Sequence, residues 1–127
     1  MKVLLIEDSK FQRTVIGRAL IGAGYDVVYA ADGEEGLGAA RENLPDLILL
    51  DMMLPKVSGL DVLRALKADV LVKHIPVVVL SGLGQANEAK LLNEGATAFL
   101  MKSTESFENN SSAMIQAVQR LLTVSKA

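Results

Sequence analysis

Five short apolar runs, each about as long as one β-strand, recur along the chain and are separated by segments with helical periodicity. They cover residues 3–6, 26–30, 47–50, 77–80 and 98–101. The first run is continuous rather than alternating, as expected for a strand that is buried on both faces of a parallel sheet. Strands that alternate with helices in this way favour βα units around a parallel sheet.

Polar capping residues mark where the first three helices begin. The capping residues are Ser9, Asp32 and Ser58. Each is followed three residues later by a Gln, Glu or Asp side chain that can bond back to the backbone of the capping residue. A fourth helix is expected over roughly 85–93. A fifth helix is expected to turn Ile115 and Leu122 inward together with Val118, at the spacing of an amphipathic helix.

The first helix is expected to end at one of two glycines, Gly22 or Gly24, because glycine is favoured just after a helix. Its inner face is predicted to carry four apolar side chains: Phe11, Val15, Ala19 and Leu20.

These elements predict an α/β fold with a flavodoxin-like, doubly wound, five-stranded parallel sheet and five helices. The expected strand order is 2-1-3-4-5, with ligands bound at the carboxyl ends of the strands near the point where the order reverses. The 127 residues are expected to form one domain, 1–127, and half of them are hydrophobic, which suffices for a core.

Composition excludes several classes of function. The absence of cysteine excludes disulfides and thiolate-bound metals, and a single histidine excludes a histidine-rich metal site. A net charge of −2 and few aromatic residues argue against direct binding of nucleic acid. No apolar run is long enough for a membrane span, and acids follow the N-terminal run too early for a signal peptide, so a cytoplasmic protein is expected.

Polar residues stand immediately after four of the apolar runs. Glu7 and Asp8 follow the first run, Asp51 the third, Ser81 the fourth and Lys102 the fifth. In the expected sheet these side chains gather at one edge, with three carboxylates close together. Such like charges resist joint ionisation unless a cation lies among them, and oxygen ligands without His or Cys suit Mg²⁺.

This arrangement indicates phosphoryl transfer, in which an aspartate can serve as the nucleophile. Lys102 would neutralise charge on the phosphoryl oxygens, Ser81 would donate a hydrogen bond, and Gly82 would leave the approach open. Each residue alone has an ordinary alternative, since acids cap helices, Ser-Gly forms turns and lysines lie on surfaces. Their joint occurrence at four strand ends is what favours chemistry.

The same residues resemble the receiver domain of two-component response regulators over essentially the full chain. The matching segments are VLLIEDS, PDLILLDMMLPKVSGLDVL, IPVVVLSG and GATAFLMK. The central segment has the pattern Asp-x-x-x-Pro, with Gly four residues after the proline, directly after a buried strand.

This resemblance implies that Asp51 accepts a phosphoryl group from the phosphohistidine of a histidine kinase. It also implies a magnesium site in which Asp8 is a direct ligand and Glu7 acts through water. Asp51 itself and the backbone carbonyl of Met53 would supply further ligands.

The resemblance also implies a switch. Ser81 would move toward the phosphoryl group, Phe99 would turn inward, and Lys102 would pair with the phosphate. The face formed by the fourth helix, fifth strand and fifth helix would then change. Implied partners are a sensor histidine kinase or phosphotransfer protein and a downstream effector or attached output domain, and relatives often form homodimers through this face.

One departure from the family pattern leaves alternatives open. Ser103 follows Lys102 where most receivers have proline, and the next loop is long and polar. One alternative is a receiver-like interaction module that works without phosphorylation. Another is a small Mg²⁺-dependent phosphohydrolase, although no insertion supplies a substrate-binding cap. On the main interpretation the domain is no enzyme toward outside substrates and catalyses only its own phosphorylation and dephosphorylation.

Overall fold

The structure is a computed structural model that describes residues 1–52, 54, 58–81, 92–101 and 112–126. Five parallel strands form one sheet in the order β2-β1-β3-β4-β5. They are β1 (Lys2–Ile6), β2 (Asp26–Ala30), β3 (Leu47–Asp51), β4 (Val77–Ser81) and β5 (Ala98–Met101). The predicted strand positions and the predicted order are therefore confirmed.

Four helices are seen in the described residues: α1 (Lys10–Gly22), α2 (Gly33–Asn43), α3 (Gly59–Ala68) and the C-terminal helix (Ser112–Lys126). The predicted caps are present, since Ser9, Asp32 and Ser58 each accept a hydrogen bond from the backbone N–H three residues later. Most of the helix expected over 85–93 lies outside the described residues.

Two apolar layers cover the sheet, one on each face. Successive strand residues point to opposite faces, so Leu4 and Ile6 pack with α2 and α3, whereas Val3 and Leu5 pack with α1 and the C-terminal helix. The side chains 3–6 and 47–50 are fully buried. The central strands therefore hold in place the residues that follow them at the carboxyl edge of the sheet.

The predicted inner face of α1 is partly wrong. Leu20 is buried as expected, but Ile16 lies in the core and Phe11 is 70% exposed. At about 100° per residue, Phe11 lies roughly 140° around the helix from Ile16, which turns it away from the sheet. Gly22 ends the helix, and Gly24 has a positive φ of 97° that favours glycine.

Two ion pairs tie surface elements together at the periphery. Arg41 on α2 pairs with Asp69 after α3, and this guanidinium lowers the pKa of the Asp69 carboxyl. Arg64 on α3 makes two hydrogen bonds to Glu94, and this contact raises the pKa of Arg64. In both pairs the arginine side chain is about half exposed to solvent, so the pairs add little to stability compared with the apolar layers.

None of the helices in the described ranges has both the length and the apolar character needed to cross a bilayer.

The buried middle of β3 can be tested by truncation. Leu49→Ala removes a fully buried side chain, so we expect the free energy of unfolding to fall by about 2–5 kcal/mol. Val70→Ala is the control, because Val70 is 78% exposed and its loss should change stability by about 0.5 kcal/mol or less. Urea titration followed by circular dichroism measures both. Equal losses would contradict the assignment of the core.

Candidate functional site

Three carboxylates meet at the carboxyl ends of β1 and β3. These strands are neighbours, with Ile6 paired to Leu50, so Glu7 and Asp51 emerge side by side. One carboxylate oxygen from each of Glu7, Asp8 and Asp51 lies within 4.8 Å of the others. The sequence-based expectation that these acids gather at one sheet edge is confirmed for all three.

Burial makes this cluster costly when all three groups are charged. Glu7 is fully buried and Asp51 is 2% exposed, whereas Asp8 is exposed. Two unit charges no more than 4.8 Å apart repel by at least about 3.5 kcal/mol at an effective dielectric constant of about 20. The cluster is therefore arranged to favour a cation that the three oxygens share.

The loop between β1 and α1 is fixed by backbone and side-chain hydrogen bonds. The N–H of Glu7 donates to the carbonyl of Ala30 at 3.0 Å. The N–H of Ser9 donates to Oε2 of Glu7 at 3.2 Å. The carboxylate of Glu7 is thereby oriented by the same turn that begins α1.

Arg13 is a contributor to this site that the sequence reasoning missed. Its Nη1 donates to the carbonyl oxygens of Glu7 and Asp8, at 2.9 and 3.0 Å. A single guanidinium nitrogen thus holds the backbone of both acidic residues. An arginine one turn into a helix is common, so nothing in the sequence alone distinguishes this one.

Gly59 keeps the end of β3 in place. Its N–H donates to the carbonyl of Met52 at 3.2 Å. A Cβ at position 59 would lie 2.5 Å from Cα of Met52 and 2.8 Å from the carbonyl oxygen of Asp51. Only glycine allows α3 to begin so close to the backbone that carries Asp51. This explains the glycine that follows Asp-x-x-x-Pro.

The other predicted site residues are only partly described. Ser81 is the last residue of β4 and pairs in register with Met101, but its side chain lies outside the described part. Phe99 on β5 is half-buried and packs against the core on the α2 and α3 side. Met53 and Lys102 lie outside the described residues, as does Gly82.

The three carboxylates provide hard oxygen ligands that converge on one point, partly shielded from water. Mg²⁺ is commonly held by one or two protein carboxylates together with water and phosphate oxygens. The chemistry of this donor set, in which all three groups are carboxylates, therefore fits such an ion.

The fold and the cluster together define a doubly wound domain with an acidic site at the point where strand order reverses. The family model of the response regulator receiver domain matches residues 3–119. The chain therefore belongs to the response regulator receiver domain family, which provides the signalling domains of two-component systems.

Two similar proteins support the assignment to the receiver domain family. DivK, a polar-differentiation response regulator of Brucella anthropi, is 35% identical over 101 residues, covering 79% of this chain and 82% of DivK. A gliding motility regulatory protein of Myxococcus xanthus is 36% identical over 122 residues. That match covers 95% of this chain but 15% of the longer protein.

Solved structures show the same fold. A response regulator from Chloroflexus aurantiacus superposes with a TM-score of 0.86 at 28% identity, covering 96% of this chain and 97% of its own. The receiver domain of Francisella response regulator 1452 superposes with a TM-score of 0.85 at 29% identity, covering 98% of both chains.

The close approach at Gly59 generates a test. Gly59→Ala places a methyl group against the backbone of Met52, so we expect a loss of about 1–3 kcal/mol of unfolding free energy and weaker Mg²⁺ binding. Gly38→Ala is the matched control, because a Cβ there meets nothing within 4 Å. In a helix that change should be neutral or stabilising by up to about 1 kcal/mol. Thermal melts with and without Mg²⁺ measure both effects, and a Gly59→Ala protein indistinguishable from Gly38→Ala would contradict the steric argument.

Proposed function

We propose that the chain acts as a phosphoacceptor that takes a phosphoryl group onto Asp51 from a phosphohistidine. The donor would be a sensor histidine kinase or a phosphotransfer protein. The observation that carries this proposal is the convergence of Glu7 and Asp8 with Asp51, in a chain of the receiver family. The 127 residues would work as one receiver domain.

The acidic cluster would hold one Mg²⁺ ion. Asp8 and Asp51 would be direct ligands, and Glu7 would act through water. The backbone carbonyl of Met53 would be a further protein ligand. When bound, the ion would neutralise charge on the phosphoryl oxygens and offset the repulsion among the carboxylates.

Asp51 would perform the transfer itself. A carboxylate oxygen of Asp51 would form a bond to phosphorus while the phosphorus–nitrogen bond of phosphohistidine breaks, and the released imidazole nitrogen would take up a proton. The backbone around Asp51 is fixed by β3 and by Gly59, so the nucleophile is positioned before the donor arrives.

Two further residues would stabilise the phosphoryl group, and a third would change position when Asp51 is phosphorylated. Lys102 would pair with the phosphoryl group, and the hydroxyl of Ser81 would hydrogen-bond to it. Phe99 lies on the edge strand β5, where a change in its position would alter the outer surface. A downstream effector, an attached output domain or a second copy of the chain would recognise that surface.

The domain would catalyse only its own phosphorylation and dephosphorylation, in the cytoplasm where histidine kinases deliver phosphoryl groups. It would act on no outside substrate, and it would contact neither nucleic acid nor membrane directly.

The proposal is tested by intact mass after incubation with acetyl phosphate and Mg²⁺. We expect one added phosphoryl group on the parent protein, none on Asp51→Asn, and none on the parent when EDTA is present. Asp26→Asn is the control, because Asp26 is an exposed carboxylate at the opposite end of a strand, and it should be labelled like the parent.

Equal labelling of the parent and Asp51→Asn would contradict the assignment of the phosphoacceptor. A folded parent that takes no label from acetyl phosphate or from a phosphorylated donor protein would instead favour the phosphorylation-independent interaction module.

A further inference from the structure

A basic surface depression lies between α1 and the edge strand β2, next to the loop that carries Glu7 and Asp8. Its volume is about 450 Å³, and it is a shallow feature that is largely open to solvent. The described residues that line it are Lys10, Arg13, Thr14, Arg18 and Tyr29.

The charged side chains that line this depression are all basic. Lys10, Arg13 and Arg18 all belong to α1, which carries no acidic residue, although the chain as a whole has a net charge of −2. In the part of the chain that the structure describes, Lys10 and Arg18 take part in no ion pair. Lys10 and Arg18 thus carry charges that pair with no described carboxylate, which favours an anionic ligand, whereas Arg13 lies against the backbone of Glu7 and Asp8.

The spacing on α1 aligns the polar groups. Lys10, Thr14 and Arg18 recur every four residues, so they lie along one face of the helix. Lys10 and Arg18 are about 12 Å apart along the helix axis, so different phosphates of one polyphosphate chain could contact the ammonium and the guanidinium.

Tyr29 provides an aromatic wall. Its phenol ring lies over Gly17 of α1, where a Cβ would collide with the ring and with its hydroxyl oxygen. Tyr29 remains 40% exposed, so part of the ring is accessible beside the basic side chains. A planar base can stack on such a ring while its phosphates contact the helix.

We propose that this depression binds a phosphate-bearing small molecule of nucleotide size. Arg18 and Lys10 contact the phosphates, and Tyr29 stacks on the base. The site uses no glycine-rich loop, and the sequence contains neither the Gly-x-x-x-x-Gly-Lys nor the Gly-x-Gly-x-x-Gly pattern of glycine-rich nucleotide-binding loops. Its lining includes none of the three carboxylates of the acidic cluster.

Arg13 contacts the loop that carries Glu7 and Asp8 and also lines the depression, so an Arg13 variant would not test the depression alone. Its Nη1 holds the carbonyls of Glu7 and Asp8, whereas its Nε and Nη2 provide donors that those two contacts do not use. Substituting Arg13 would disturb the acidic cluster as well as the depression. Arg18 contributes charge without that contact, so it is the residue to change.

The test is calorimetric titration of the folded protein with ATP in the presence of EDTA and at low salt. Removing metal keeps the result independent of any phosphorylation of Asp51. We expect saturable binding of one ATP per chain, weakened at least about tenfold in Arg18→Gln. Arg120→Gln, which removes an exposed charge from the C-terminal helix, should bind ATP within about twofold of the parent.

Two further probes separate the roles of phosphate and base. Inorganic tripolyphosphate should bind more weakly than ATP, and Tyr29→Leu should remove that difference by lowering ATP affinity alone. Adenosine alone should not bind measurably.

Three results would overturn the proposal: no saturable binding of ATP, equal losses in Arg18→Gln and Arg120→Gln, or equal affinity of the parent for ATP and tripolyphosphate. A slower phosphotransfer from a donor protein to Arg18→Gln, with no binding of any small anion, would also overturn it and assign this surface to a protein partner.

Discussion

The pairing of β1 with β3 is the contact on which the rest of this structure depends. It places Glu7 and Asp8 beside Asp51, and it does so because both strands are continuous apolar runs that are buried on two faces. Mutual repulsion among three carboxylates opposes this arrangement. The apolar layers on both sides of the sheet hold the acids together despite that repulsion, so a site that favours a cation is built into the fold.

Contacts from α1 and α3 fix the backbone of the acidic residues that the sheet brings together. Arg13 holds the carbonyls of two acids from α1, and Gly59 lets α3 begin against the backbone of Asp51. These contacts come from elements on opposite faces of the sheet, since α1 and α3 belong to different apolar layers. The site is therefore supported from both sides, which is the rigidity that positioning a nucleophile requires.

The strands and caps were predictable because their causes are local. Apolar runs and capping residues such as Ser9 identify elements without knowledge of distant contacts, and the alternation of strands and helices then limits the sheet order. Phe11 was assigned to the wrong face because helical spacing alone leaves the orientation of a helix open by part of a turn. Arg13 and the basic depression near Tyr29 depend on how α1 lies against β1 and β2, which no local pattern specifies.

Phosphorylation of Asp51 would give an acyl phosphate, and the most direct measurement locates that bond chemically. Borohydride reduces an aspartyl phosphate to homoserine, so the phosphorylated protein can be reduced, digested and sequenced by mass spectrometry. We expect homoserine at position 51 and aspartate at position 8. Homoserine at position 8, or a phosphoryl group that resists reduction because it lies on a hydroxyl, would contradict it.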